Sequence, residues 1–211
     1  MKIYIIRHGE SKANALNIFL GHGDMDLSDK GYLQAQLTAK YLSKLPIDAI
    51  YSSDLLRAYH TAEATSKLTG VPIIKDKNLR EINGGKWEFM PYEQILEKYK
   101  QSFTVWYTDF LNARCDGGES TLEVQERISK TMTEIAKNNP DKNVLVFSHG
   151  ATIRCFMEYL ISIGDCENKK LPWASNASVT EIEYVNGKFK LLDYSRDDFL
   201  ADLSTGLPSN I

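Results

Sequence analysis

The chain has 211 residues, a length that suits a single domain spanning residues 1–211. Its formal net charge of −3 argues against nucleic acid or an anionic membrane surface as a partner, because proteins that bind these usually have a basic excess. No apolar run approaches the ~20 residues of a membrane span, and we expect no targeting segment.

Short apolar runs alternate with helical stretches, a pattern typical of an α/β sheet. Strands are predicted at 2–6, 48–51, 73–75, 143–147, 178–184 and 188–193. Asn186-Gly187 is a preferred pair for a tight hairpin turn, so the last two strands should be antiparallel. The predicted fold is α/β, with a mostly parallel central sheet, helices on both faces and one antiparallel edge strand pair.

Helix ends are marked by capping residues. Ser28 and Ser53 are predicted to cap the first two long helices, and Ser120 with Glu123 forms a capping box for the third. A fourth helix begins at Gly150. The predicted spans are 28–45, 53–70, 120–138 and 150–163.

The stretch 84–118 interrupts this rhythm, and Pro91 can begin a helix within it. We interpret it as a helical insertion near the active site. It is either a lid or wall of the substrate pocket, or a second packing layer with no role there. Its aromatic residues are Trp87, Phe89, Tyr92, Tyr99, Phe103, Trp106, Tyr107 and Phe110.

Two histidines directly follow predicted strands, each with a glycine after it. His8 lies in Arg7-His8-Gly9-Glu10-Ser11, and His149 lies in Ser148-His149-Gly150. Ligands bind at the carboxyl ends of strands in open α/β sheets, and helix N-termini there attract anions. One such triplet is more often a structural loop, whereas two together indicate a shared site.

Other polar residues can complete such a site. Arg57 opens a helix after another strand, and arginine fits pairs of phosphate oxygens. Glu81 is the best-placed proton donor for a leaving oxygen, although it can also be an ordinary loop carboxylate. Asn14 is a neutral donor near the first motif.

Six ordered blocks, covering residues 2 to about 194, resemble the histidine phosphatase superfamily, in its phosphoglycerate mutase-like branch. The blocks are Arg7–Ser11 with Asn14; Asp26-Leu27-Ser28 with Gly31, Gln34 and Ala35; Tyr51–Leu55 with Arg57, Ala58, Thr61 and Ala62; Glu81 with Gly85, Trp87 and Glu88; Gly118-Glu119-Ser120; and Ser148-His149-Gly150.

The resemblance implies a catalytic set of His8, Glu81, His149, Arg7 and Arg57. His8 would be phosphorylated, and Glu81 would be the acid and base, with Glu10 or Glu119 as the next candidates. Arg7, Arg57 and an imidazolium at His149 would surround the phosphoryl group. The attacking nitrogen of His8 must be neutral, so its other nitrogen is expected to donate to a backbone carbonyl.

The implied substrate-binding set overlaps with the catalytic one. His22 lies in a loop that would face the substrate, but a solvated loop histidine is an equal alternative. The expected set is Arg7, Asn14, Gly21, His22, Arg57, His149 and Gly150.

The chain departs from the family pattern at three places, of which the first two favour the phosphatase side and the third concerns the shape of the pocket rim. Gly84 stands where mutases have a tyrosine, Arg114 is the only arginine of the insertion where mutases have a pair, and Phe89 replaces a common glycine. We therefore predict a hydrolase of small phosphate monoesters. The alternatives are a cofactor-dependent phosphoglycerate mutase and a non-catalytic phosphate-binding module.

We expect no metal and no cofactor, since the four histidines, His8, His22, His60 and His149, show no ligand spacing. The expected partner is a small phosphorylated metabolite, and a homodimer stays open as the assembly. Cys115, Cys155 and Cys166 form no CxxC pair, so reduced thiols in a cytoplasmic protein are expected.

Overall fold

A computed structural model describes residues 1–166 and 171–205 of the chain. Its strands are β1 Lys2–Arg7, β2 Ala49–Ser52, β3 Ile73–Lys75, β4 Asn143–Ser148, β5 Val179–Val185 and β6 Lys188–Arg196. Its α-helices are α1 Lys12–Ala15, α2 Asp29–Leu42, α3 Leu56–Thr69, α4 Tyr92–Lys98, α5 Lys100–Thr108, α6 Thr121–Asn138 and α7 Gly150–Ser162. Turns of 3-10 helix lie at Lys77–Leu79, Gly85–Trp87, Phe110–Asn112 and Asp198–Leu203.

The strands form one sheet in the order β3-β2-β4-β1-β5-β6. Strand β4 is parallel to both β1 and β2, and β2 is parallel to β3. Strand β5 is antiparallel to β1 and to β6. Asn186 and Gly187 turn the β5–β6 hairpin with φ angles of 53° and 81°, as their sequence predicts. The mostly parallel α/β sheet is thereby confirmed.

Alternation along β1 builds a core on each face of the sheet. Ile3 and Ile5 point to the face covered by α6, α7 and the insertion. Tyr4 and Ile6 point to the opposite face, where they pack with residues of α2 and α3. Because successive strand residues point to opposite faces, one short apolar run supports both layers.

The helix caps agree with the sequence at Ser28 and Ser120 but not at Ser53. Ser28 accepts a hydrogen bond from the third residue of its helix, and Ser120 forms the full capping box with Glu123. Helix α3 instead begins at Leu56, with no side-chain cap. The prediction for Ser53 was wrong because its hydroxyl oxygen lies 2.8 Å from His149 Nε2.

The insertion is helical, as expected, and both interpretations of its aromatic residues apply to some of them. Trp87, Phe103 and Phe110 are buried core residues. Tyr92 and Trp106 line a cavity. Among the described residues, no helix is long and apolar enough to cross a membrane.

Candidate active site

A cavity lies at the carboxyl ends of β1 and β4. The predicted site residues that line it are Arg7, His8, Asn14, Arg57, Glu81 and Gly150. The ring of His149 lies beside it, with its centroid 5.1 Å from that of His8. The parallel pairing of β1 with β4 brings these histidines together, although 140 positions of sequence separate them.

The imidazole of His8 is held with one nitrogen available. Its Nδ1 lies 2.7 Å from the carbonyl oxygen of Gly9. Because a carbonyl oxygen can only accept, this contact assigns the ring proton to Nδ1. The backbone oxygen of His8 accepts hydrogen bonds from Ala177 and Asn176, which fix the loop. Burial, with the nearby guanidinium groups, lowers the pKa of His8 well below its usual value. The ring is therefore neutral at physiological pH, and Nε2 keeps its lone pair.

His149 presents a buried nitrogen without a partner. Its Nε2 pairs with Ser53, whereas its Nδ1 has no hydrogen-bond partner in the described part of the chain. Burial, together with Arg57 and His8, lowers the pKa of His149 well below its usual value. This environment favours the neutral ring over the imidazolium that we expected from the sequence.

Arg7 is half-buried and lies against the N-terminus of α7. Its Nη1 donates to the carbonyl oxygen of Ala174 at 2.5 Å, and its Nε is buried with no partner among the described residues. A Cβ at Gly150 would lie 3.3 Å from Arg7 Cζ, so the glycine allows this close approach.

Arg57 is held by the loop that follows α1. Its guanidinium donates to the carbonyl oxygens of Gly21 at 2.7 Å and Gly23 at 3.0 Å. Burial lowers the pKa of Arg57 to about 10, which leaves it protonated at physiological pH. On the other edge of the loop, the Glu88 carboxylate accepts from the backbone N–H groups of Gly21, His22 and Gly23. No role for Glu88 beyond membership of a motif was predicted from the amino-acid pattern.

Glu81 lies at the N-terminus of α7, where four donors fix its carboxylate. The backbone N–H groups of Ile82, Ala151 and Thr152 each donate to it at 3.0 Å, and the Thr152 hydroxyl donates at 3.1 Å. Arg127 holds the same loop by donating to the backbone oxygen of Glu81 at 3.3 Å. Arg127 was not predicted as a site residue, because a charged residue on a helix gives no indication in the sequence that it contacts a distant loop.

Three other candidates, His22, Gly21 and Glu10, are not among the cavity-lining residues. The imidazole of His22 lies near Glu119, with 3.8 Å between Nε2 and Oε2. Gly21 contributes through its carbonyl, and a Cβ there would lie 2.1 Å from a backbone oxygen. Glu10 accepts from the hydroxyl of Ser28 at 2.7 Å. Asn14 does line the cavity, and its Oδ1 accepts from Ser11 N.

The arrangement is an anion site. Two cations, the half-buried Arg7 and the buried Arg57, flank the imidazole of His8. Two buried nitrogens beside them, Arg7 Nε and His149 Nδ1, lack hydrogen-bond partners among the described residues. Buried polar atoms are seldom left unpaired, so these nitrogens mark where a ligand completes the hydrogen bonding. A phosphoryl group, with three equatorial oxygens, suits them.

Comparisons with known proteins agree with this geometry. The family model described as "Histidine phosphatase superfamily (branch 1)" matches residues 3–197. Phosphoserine phosphatase 1 of Hydrogenobacter thermophilus is 34% identical over 163 residues, 77% of this chain and 77% of that protein. The structure of Bacillus stearothermophilus YhfR superposes with a TM-score of 0.88 at 27% identity, over 94% of this chain and 98% of that one. A mycobacterial glucosyl-3-phosphoglycerate phosphatase in complex with VO3 gives a TM-score of 0.83 at 28% identity, over 93% and 99%.

Proposed function

The chain belongs to the histidine phosphatase superfamily, branch 1, and from that membership we propose that His8 is the nucleophile of a phosphate monoester hydrolase. The family match and the similarity to proteins named as phosphatases support phosphatase activity for this chain. The observation that carries the assignment to His8 is its buried imidazole, whose Nδ1 lies 2.7 Å from the Gly9 carbonyl oxygen and which lies between Arg7 and Arg57.

In the first half-reaction, His8 Nε2 attacks phosphorus while the bond to the ester oxygen breaks. Arg7 and Arg57 stabilise the charge on the equatorial oxygens, and the N–H of Arg7 Nε and the unpartnered nitrogen of His149 add hydrogen bonds. Glu81 gives its proton to the leaving alkoxide, so the products are an alcohol and phosphohistidine.

In the second half-reaction, water attacks the phosphohistidine. The Glu81 carboxylate, which lost its proton to the alcohol in the first step, takes a proton from this water. The P–N bond breaks, and its electron pair returns to His8 Nε2. The products are inorganic phosphate and the neutral imidazole, with Glu81 protonated again. Its four hydrogen bonds hold the carboxyl group in one place for both steps.

Trapping the intermediate tests this proposal. Rapid acid quenching after mixing with a labelled ester, followed by peptide mapping under alkaline conditions, should find phosphate on His8. His8→Ala should fold and lose activity by several orders of magnitude, whereas the control His60→Ala should retain it. Phosphate on a serine or an aspartate would refute the assignment.

Gly84 bears on the mutase alternative. A Cβ at this position would lie 2.6 Å from a ring carbon of Phe19 and 3.0 Å from Glu88 Oε1, so a tyrosine has no room there. This supports hydrolysis over isomerisation. With 3-phosphoglycerate and catalytic 2,3-bisphosphoglycerate, any activity should release inorganic phosphate. Efficient formation of 2-phosphoglycerate would favour the mutase.

The wider setting is part of the same proposal. One domain spanning residues 1–211 would act on a small phosphorylated metabolite in the cytoplasm, without a nucleic-acid partner, and as a monomer or homodimer. The net charge of −3 and the buried cysteines Cys115 and Cys155 support this setting.

A further inference from the structure

The cavity has an aromatic wall, which consists of Phe19, Tyr92, Trp106 and Trp173. The wall is continuous. The ring centroid of Phe19 lies 5.9 Å from that of Tyr92 and 5.8 Å from that of Trp106, and Trp106 lies 6.0 Å from Trp173. All four residues line the same cavity as Arg7 and His8, along with the aliphatic side chains of Ile18, Leu20 and Ile82.

The wall is held from behind by further rings and a cation. Trp87 packs edge-on against Phe19 at 5.5 Å, and Phe110 packs against Trp106 at 5.1 Å. The guanidinium carbon of Arg154 lies 4.7 Å from the ring centroid of Trp173. Contacts of this kind fix ring orientation, so the wall can receive a ligand without ordering loose side chains.

The positively charged side chains of the cavity lie at the proposed phosphoryl position. Among the residues described as lining it, the cations are Arg7 and Arg57, which face the proposed phosphate position. Burial raises the pKa of Tyr92, so its hydroxyl is neutral. A carboxylate on the leaving group would meet aromatic rings and the Glu81 carboxyl. The neutral indole N–H of Trp173, which is buried with no partner among the described residues, could offer it one hydrogen bond, but the described lining holds no third cation to compensate its desolvation.

We infer that the leaving-group half of this site takes an uncharged, apolar group, aryl or branched alkyl, and discriminates against esters that carry a carboxylate. The inference rests on the proposed phosphatase function and names its substrate class. Burial against a preformed aromatic surface supplies the preference, and the missing third cation supplies the discrimination.

A matched pair of esters tests the inference. Benzyl phosphate and 4-carboxybenzyl phosphate have similar leaving alcohols and differ in one charge. We expect kcat/KM for the benzyl ester to be about tenfold higher or more, the scale at which apolar pockets discriminate. Phosphoserine and 3-phosphoglycerate should also fall below it. Equal or faster turnover of any of these three carboxylate esters overturns the inference.

Two tyrosines of the insertion provide matched variants. Tyr92→Leu should lower the ratio of kcat/KM for benzyl over methyl phosphate about tenfold. Tyr107→Leu removes a ring that does not line the cavity and should leave the ratio unchanged. An equal fall in both variants would overturn the role of the wall. If no ester forms phosphohistidine, the proposed function itself fails. If phosphohistidine forms but carboxylate esters are preferred, only the substrate class fails.

Discussion

Glu88 and Arg57 bind opposite edges of one loop without a direct hydrogen bond between them. The Glu88 carboxylate accepts from the N–H groups of Gly21 at 3.0 Å, His22 at 2.8 Å and Gly23 at 3.0 Å. The carbonyl oxygens of Gly21 and Gly23 accept from Arg57. The carboxylate thus orients the peptide groups that position the guanidinium.

Glu88→Gln should therefore weaken the site through Arg57. An amide offers one acceptor atom where the carboxylate offers two, so buried N–H groups lose a partner, at about 1–3 kcal/mol. We expect a loss of roughly 10- to 100-fold in kcat/KM and in affinity for vanadate. The control is Glu93→Gln, which removes the same charge from an exposed position on α4.

A double-mutant cycle separates positioning from general stability. If Glu88 acts through Arg57, Glu88→Gln should cause little further loss of kcat/KM in an Arg57→Ala background. Additive losses would contradict the relationship and assign Glu88 to stability alone.

Glu81→Gln should separate the two half-reactions. An alkoxide leaves poorly without a proton, and general acid catalysis contributes roughly 10²–10⁴-fold, whereas p-nitrophenolate leaves without help. In rapid-quench experiments, the variant should release p-nitrophenol in a fast first turnover and then stall as phosphohistidine. Alkyl esters should be slow from the start. If both esters slow equally in the first turnover, Glu81 is not the acid.

The two buried histidines should make the fold sensitive to acid. Burial lowers the pKa of His8 and of His149, so between their folded and unfolded pKa values the unfolded chain binds more protons than the folded one. The free energy of unfolding is therefore highest above about pH 6.5 and falls below it, by roughly 1 kcal/mol per pH unit for each histidine. Urea unfolding at several pH values should show this fall, with a smaller slope for His149→Gln. Identical slopes would contradict it.

Activity should survive exhaustive chelation. Arg7 and Arg57 supply the positive charge that a metal ion supplies in many phosphatases, and both line the same cavity as His8. Turnover of p-nitrophenyl phosphate should be unchanged after dialysis against EDTA, with a metal-dependent phosphatase as the positive control. A loss that magnesium or zinc restores would contradict the mechanism.

The strands of the sheet, the starts of two long helices and the grouping of the candidate site residues were all readable from the amino-acid sequence. Apolar runs with a period of two define β1 and β4, and the histidine that follows each strand places His8 and His149 at one edge. Caps at Ser28 and Ser120 were readable because capping depends on residues only three positions apart. These features depend on local geometry, which a linear pattern encodes.

The contacts that hold the candidate site residues in place could be identified only from the three-dimensional structure. The Ser53 hydroxyl lies beside His149 Nε2 and does not cap a helix. The Glu88 carboxylate accepts hydrogen bonds from the loop that also holds Arg57. Arg127 donates to the backbone oxygen of Glu81. Each contact joins residues far apart in sequence, so no spacing predicts it. The preference of His149 for the neutral ring also had to be read from the structure, because its pKa is lowered by burial and by its neighbours, among them Arg57, Arg127 and Arg7.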